Sequence, residues 1–151
     1  MNTERVETLM LLETNIDDMP AEWLGPLLEQ LLDAGALDAW FTPIQMKKNR
    51  PAVQLSALCR PENAPDLRAL LFVHTSTLGV RQQEVHRYSL PRRIETVETP
   101  FGPIRIKFAE VAPGHWKAAP EFEDCLAAAR AHNAPLGKVY RAALDAMPPQ
   151  S

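Results

Sequence analysis

The sequence predicts an α+β fold, and three observations carry that expectation. Apolar residues recur at helical spacing between Asp18 and Ala34. They alternate at strand spacing up to Ile16, and again at Ile104, Ile106 and Phe108. The elements run strand, helix, strand, strand, helix, strand, followed by a β-extension and two helices.

Residues 8–16 read as a strand. Leu9, Leu11, Glu13, Asn15 and Asp17 share one face; Met10, Leu12 and Ile16 share the other. Asp18 is placed to cap the helix that follows, with Pro20 accepted in its first turn. That helix runs to about Ala34 on a stripe of Trp23, Leu24, Leu27, Leu28, Leu31 and Leu32, and Gly35 stops it. Residues 37–46 and 53–59 read as strands joined by a turn at 47–51, a hairpin. A second helix is expected over 64–74, with Leu67, Leu70 and Leu71 inward. Residues 80–90 and 92–99 read as strands. Phe101, Gly102 and Pro103 form a turn before the alternating strand around Ile106. After a polar loop, 121–131 reads as a helix with Phe122, Cys125, Leu126 and Ala129 on one face. Residues 136–147 read as a last short helix, and 148–151 as a frayed tail. The first six elements match the split β-α-β order of ferredoxin-like folds. The expectation is therefore a ferredoxin-like split β-α-β core with a β-extension and two carboxyl-terminal helices.

At 151 residues the chain is expected to form a single domain, its core at about 8–139. Its 46% hydrophobic and 23% charged residues are ordinary for a globular protein. A net charge of −3 gives no global basic field, which argues against nucleic acid as the main partner. Cys59 and Cys125 lie far apart with no metal-type spacing and read as reduced thiols of a cytoplasmic protein. No signal peptide is visible, and the apolar runs fall well short of the ~20 residues that cross a bilayer. The 14 prolines are scattered, so they punctuate elements rather than mark disorder.

Four segments at element ends could carry chemistry. Asp17 and Asp18 follow a strand, where two carboxylates can reach one hard cation; Asp18 can equally serve as a helix cap. Lys47, Lys48 and Arg50 put three cations within four positions at a hairpin tip, either a phosphate clamp or an ordinary solvated turn. Thr75-Ser76-Thr77-Leu78-Gly79-Val80-Arg81 offers hydroxyls and backbone N–H groups around a glycine turn, with Arg81 adding charge. It is also an ordinary helix end, and no Walker loop occurs in the chain. Glu121, Glu123 and Asp124 open a helix, where acids favour the macrodipole or could contact a ligand. Lys107 stands on the polar side of its strand. The four histidines show no metal-ligand spacing.

ETNIDDM, PIQMKKNRP, HTSTLGVR, TPFGPIRIK and PEFEDC occur in that order, five motifs between about Leu9 and Val139. Together they resemble the carboxyl-terminal domain of the LarC family of nickel-insertion proteins. The resemblance implies a part in completing a nickel-pincer cofactor: nickel is inserted into pyridinium-3,5-bisthiocarboxylic acid mononucleotide with CTP and Mg²⁺ or Mn²⁺. It implies a lyase-type, CTP-dependent chelatase whose carboxyl-terminal domain binds the metal–CTP complex, acts in the cytoplasm and forms homo-oligomers.

Carried over motif by motif, Asp17 and Asp18 are the metal-side acids. Lys47, Lys48, Arg50, Thr75, Thr77 and Arg81 face the nucleotide. Glu13, Lys107, Glu121 and Asp124 are supporting polar groups. The family pattern M-K-K-G-R-P-G is altered here by Asn49 and Ala52, and Ser76 stands where the loop has a threonine. Asparagine accepts a left-handed backbone, whereas alanine does so less readily. The family's larger amino-terminal part, with its His-rich sequence, has no counterpart in these residues. Nickel is therefore expected to be held with that region, in cis or in trans, and not by this domain alone. The competing expectation is a non-catalytic module that senses a nucleotide or anion, or that drives oligomerisation.

Overall fold

The computed structural model describes residues 4–148. Residues 149–151 of the expected tail lie outside the described residues. The chain divides into two compact units, Val6–Arg87 and the segment from Tyr88 onward together with residues up to Arg5. The class is α+β, as expected.

The first unit contains β1 (Arg5–Ile16), α1 (Ala21–Asp33), β2 (Ala36–Met46), β3 (Arg50–Cys59), α2 (Ala64–His74) and β4 (Arg81–Ser89). Its strands form one sheet in the order β2-β3-β1-β4. β3 runs antiparallel to both of its neighbours. The pairs Glu7–Arg87 and Asn15–Arg81, at opposite ends of β1, show that β4 also runs antiparallel to it. In β1 the period-two pattern buries Leu12, Thr14 and Ile16, which lie opposite Ala57, Leu55 and Val53 of β3. Leu24, Leu27 and Leu31 of α1 and Ala64, Leu67 and Leu71 of α2 complete this core. Each such leucine contributes about 1.5–3 kcal/mol by leaving water.

The prolines of the sheet stand where no donor is needed. Pro43 lies on the edge strand β2, and Pro51 on β3 lies beyond Val53, where pairing with β1 ends. Gly35 has φ +98°, and a Cβ there would come within 2.6 Å of Asn63 Nδ2. Asn63 Nδ2 donates to the Gly35 carbonyl at 3.0 Å, so the helix stop also anchors the approach to α2.

Two expectations for α1 are corrected. The helix starts at Ala21 with Pro20 at the cap position, so Asp18 is not its cap. Trp23 is 62% and Leu32 48% exposed, because a helix lying on one sheet buries only the narrower stripe of Leu24, Leu27 and Leu31.

The second unit contains β5 (Arg92–Thr99), β6 (Gly102–Ala112), β7 (His115–Pro120), α3 (Phe122–Ala131) and α4 (Leu136–Asp145). The three strands form an antiparallel meander. Val97, Ile104, Ile106 and Phe108 meet Cys125 and Ala129 of α3 and Val139 and Ala143 of α4. β7 corrects the polar loop read from the sequence. Trp116 and Ala118 point toward the core while His115, Lys117 and Ala119 are exposed, so the inward face is short and the period is masked by polar neighbours. Phe122, placed on the inner face of α3 by spacing, is 54% exposed. Both cysteines are buried and free, and burial pushes both thiols above their ordinary range. Among the described residues no helix is long and apolar enough to cross a membrane.

Among the described residues, Thr14 and Ser56 are the buried polar side chains. Thr14 Oγ1 lies within hydrogen-bond distance of Thr77 Oγ1 and, at 2.9 Å, of the Gly79 carbonyl oxygen. It thus ties the core side of β1 to the segment joining α2 and β4. Thr14→Val, which keeps the shape and removes the hydroxyl, is expected to cost about 1 kcal/mol. It should also speed hydrogen exchange selectively at the Thr77 and Gly79 amides, and unchanged exchange there would refute the tie.

In the second unit, Asp124 Oδ2 accepts from the Arg105 backbone N–H at 3.0 Å and from Nε at 2.8 Å. Its Oδ1 accepts from Arg105 Nη2 at 2.7 Å. The Arg105 hydrogen bonds hold the Asp124 carboxyl below the usual carboxylate range. A depressed carboxylate stabilises the fold above its unfolded pKa, about 3.9, and the contribution is lost as pH falls through the lower folded value. Asp124→Asn should therefore lower the melting temperature at pH 7, with the deficit shrinking below about pH 4. A deficit independent of pH would refute this assignment.

Candidate functional site

In the first unit, three chain segments converge where β1 ends. They are the strand end at Glu13–Asp18, the β2–β3 hairpin tip and the segment from Thr75 to Arg81. These are the first three of the four segments singled out in the sequence.

The hairpin closes on the pair Met46–Arg50, leaving Lys47, Lys48 and Asn49 to make the turn. Lys48 (φ 59°, ψ 24°) and Asn49 (φ 57°) are both left-handed. Asparagine accepts this conformation readily, and Asn49 Oδ1 further accepts a hydrogen bond from Gln45 Nε2 at 3.0 Å. For lysine the left-handed backbone costs roughly 1–2 kcal/mol. Ala52 carries no such strain: it lies in β3 opposite Ile44, without a positive φ. Lys47 and Lys48 are exposed, and among the described residues neither forms an ion pair.

Arg50 Nη1 donates to Asp17 Oδ2 at 3.3 Å, joining the hairpin to the end of β1. Asp18 turns the other way and accepts from Ser76 Oγ. The segment around Ser76 is held by its own hydroxyls. Thr75 Oγ1 donates to the Leu71 carbonyl at 2.7 Å and accepts from the Thr77 N–H at 3.2 Å. Thr77 Oγ1 lies 2.9 Å from the Gly79 carbonyl oxygen and accepts from the Gly79 N–H at 3.2 Å. Thr75 and Thr77 therefore shape the segment, while exposed Ser76 is the hydroxyl that reaches an acid.

Arg81 Nη2 donates to Asn15 Oδ1 at 2.9 Å, and its Nε lies 3.9 Å from Glu13 Oε2. Glu13 also accepts from Gln54 Nε2 and, at 3.4 Å, from Ser56 Oγ. Glu13, Asn15, Gln54 and Ser56 occupy neighbouring register positions on the sheet face opposite the leucine core. That face is thus a polar network leading to the two aspartates.

Lys107, Glu121 and Asp124 lie in the second unit and pair within it. Lys107 Nζ is 3.0 Å from Glu121 Oε1, and Asp124 is held by Arg105. Among the described residues no three His, Cys, Asp or Glu side chains gather as a metal cluster. Asp17 and Asp18 alone suit a hard ion that takes one or two carboxylates and completes its shell with ligand oxygens and water.

Spacing did not single out Thr14, Asn15, Gln54 and Ser56. The legible signal was Thr14, a polar residue at a core position of an apolar strand. The strain at Lys48 had no sequence signal beyond the turn itself. Beside Asp18 lies a cavity of about 240 Å³, lined by Met19, Pro20, exposed Trp23 and residues 73–76.

Residues 1–140 match the family model described as nickel insertion protein. A relative from Pelobacter propionicus is 49% identical over 138 residues, covering 91% of this chain and 35% of that protein. A relative from Acetivibrio thermocellus, named pyridinium-3,5-bisthiocarboxylic acid mononucleotide nickel insertion protein, is 45% identical over 137 residues, covering 90% of this chain and 33% of its own length. The chain thus spans about a third of the length of the curated relatives it matches. Among solved structures it is similar to the apo form of LarC2, the carboxyl-terminal domain of a cyclometallase involved in the synthesis of the NPN cofactor of lactate racemase. That likeness has a TM-score of 0.86 and 40% identity, over 94% of this chain and 98% of that one. On these matches, the chain belongs to the nickel insertion protein family.

Proposed function

We propose that this chain supplies the CTP- and divalent-metal-binding part of a protein that inserts nickel into pyridinium-3,5-bisthiocarboxylic acid mononucleotide. The observation that carries the reading is the convergence at the end of β1. Asp17 pairs with Arg50 at the base of a hairpin that presents Lys47 and Lys48 without ion pairs, and Asp18, the next residue, reaches Ser76 of the α2–β4 segment. A nucleoside triphosphate with its Mg²⁺ or Mn²⁺ needs both kinds of group. Nickel is the substrate ion, and no group described here is assigned to hold it.

Asp17 and Asp18 would hold the divalent ion, which supplies charge neutralisation at the triphosphate. Lys47 and Lys48 would place point charges on phosphate oxygens, and Arg50 would add a two-pronged contact once it leaves Asp17. Glu13 keeps Arg81 against the sheet and orients it toward the same end. The cavity beside Asp18, which exposed Trp23 helps to line, would receive the base. Lowering the negative charge on the triphosphate favours attack by an oxygen of the pincer precursor on the α-phosphorus. The precursor then carries CMP and pyrophosphate leaves.

Calorimetry with Mn²⁺ is expected to show CTP binding, weaker for ATP and GTP; no heat with CTP and Mn²⁺ would overturn the proposal. Lys47→Glu with Lys48→Glu should weaken that binding by about tenfold or more, and unchanged affinity would remove both lysines from the site. Trp23→Ala should weaken CTP more than pyrophosphate, and an equal loss for both would take the base away from Trp23. Release of pyrophosphate from CTP should require the pincer precursor and the amino-terminal region of a full-length relative.

A further inference from the structure

In the first unit, one edge of the sheet is blunted and the other is not. The order β2-β3-β1-β4 leaves β2 and β4 as edge strands, each hydrogen-bonded on one side only among the described residues. An edge strand presents a row of unpaired N–H and C=O groups, which folded proteins guard with prolines, bulges and charges. β2 has such guards. Pro43 has no N–H to offer, Asp38 Oδ1 accepts from the Ala39 N–H at 2.9 Å, and the register with β3 shifts between Ala36 and Asp38.

β4 (Arg81–Ser89) runs for nine residues without a proline, so its only guards are charges. Two of them are engaged with β1. Arg81 donates to Asn15, and Arg87 donates to Glu7. Glu84 is exposed and forms no ion pair among the described residues. His86 is exposed, and its Nδ1 lies 3.4 Å from Thr8 Oγ1. The free carboxylate and the imidazole lie two positions apart, on the same face of the strand.

A two-fold axis perpendicular to the sheet sets β4 antiparallel to the same strand of a second copy. Opposite residues then share a face, so the axis passes a residue position and one register differs from the next by a whole residue of shift in that axis. Centred on Val85, β4 pairs over its whole length. Arg81 meets Ser89, Gln82 meets Tyr88, Gln83 meets Arg87 and Glu84 meets His86. The Glu84–His86 contact occurs twice, and no like charges are opposed. An imidazole N–H donates to a carboxylate whether or not the ring is charged. An axis at Glu84 instead sets two carboxylates face to face and Arg81 opposite Arg87, which is repulsive. An axis at His86 sets the imidazoles face to face and leaves Glu84 opposite Tyr88. Full overlap and charge complementarity therefore select the same register.

We propose that the free edge of β4 pairs antiparallel with β4 of a second copy, in the register centred on Val85. The two first-unit sheets then join as one, β2-β3-β1-β4 continuing into β4-β1-β3-β2 of the partner. Backbone hydrogen bonds hold the strands together, and the two Glu84–His86 contacts fix the register. The pairing does not depend on CTP binding at the end of β1.

Sedimentation velocity of the 151-residue chain is expected to show concentration-dependent self-association. Glu84→Arg and His86→Glu should each weaken it by about tenfold, because each removes both attractive contacts. The double variant re-forms them with the charges exchanged and should restore association. Val85→Cys should give an intermolecular disulfide on mild oxidation, since opposite residues of an antiparallel pair stand about 4.5–5.5 Å apart at Cα. Gln83→Cys, whose two copies are offset by roughly 13 Å along the strands, should not. The native Cys59 and Cys125 are buried and take no part. A chain monomeric at every concentration, association unchanged in both single variants, a double variant no stronger than either single, or equal cross-linking at the two positions would each overturn the proposal.

Discussion

The candidate site in the first unit depends on a single buried hydroxyl. Thr14 faces the leucine core, where a hydroxyl without a partner would cost about 1–3 kcal/mol. Its partners are Thr77 and the Gly79 carbonyl, so satisfying the hydroxyl means drawing the α2–β4 segment against the end of β1. Once that segment is drawn in, Ser76 reaches Asp18 and Arg81 reaches Asn15. The contacts that bring site residues together are therefore consequences of a core requirement. None of the exposed pairs is strong enough to impose the arrangement alone, since exposed ion pairs contribute about 0–1 kcal/mol.

The hairpin is organised by a different constraint. A three-residue turn between paired Met46 and Arg50 needs left-handed backbone at two successive positions, Lys48 and Asn49. The alternation of β3, in register with β2 from Arg50 and with β1 as well from Val53, leaves the turn no slack. The conformational cost at Lys48 is met by the ladder on either side. In return, the backbone direction at the tip is determined even though both lysine side chains are solvated. Strained backbone of this kind clusters at ligand-contacting and other functional turns.

Much of this was legible in the residues. Element type and order came through for the whole first unit, most plainly in α1 and α2, whose buried leucines keep helical spacing. α2 was placed at its observed bounds, and the left-handed Asn49 agrees with asparagine's tolerance of that conformation. What was not legible has physical causes. β7 is half polar and short, so its alternation is weak against the loop signals of Gly114 and Pro120. Trp23 sits at helical spacing yet lies on the flank of α1, because periodicity gives the direction of a stripe but not its width. Asp18 looked like a cap, and the chain instead spends two more residues, Met19 and Pro20, before α1 starts at Ala21. Long-range side-chain pairs such as Glu13–Gln54 need the register, which no local pattern contains.

The pairing of Asp17 with Arg50 has a meaning for ligand entry that follows from its strength. The pair is at the surface and has a single contact at 3.3 Å, so opening it costs little. On the reading proposed for this end of the sheet, a triphosphate arriving with its divalent ion offers each member of the pair a better partner. Asp17 gains the ion and Arg50 gains phosphate oxygens, which suit its planar fork. The exchange keeps the sign of charge at each group, because one cation replaces another at the carboxylate and one anion replaces another at the guanidinium. Asp18 loses only a neutral hydroxyl, Ser76, which becomes free to donate to the ligand. The site can thus be nearly preformed without ligand and still gain charge-assisted contacts on binding, because its resting pairs are weak while the hydroxyl that holds its backbone is buried.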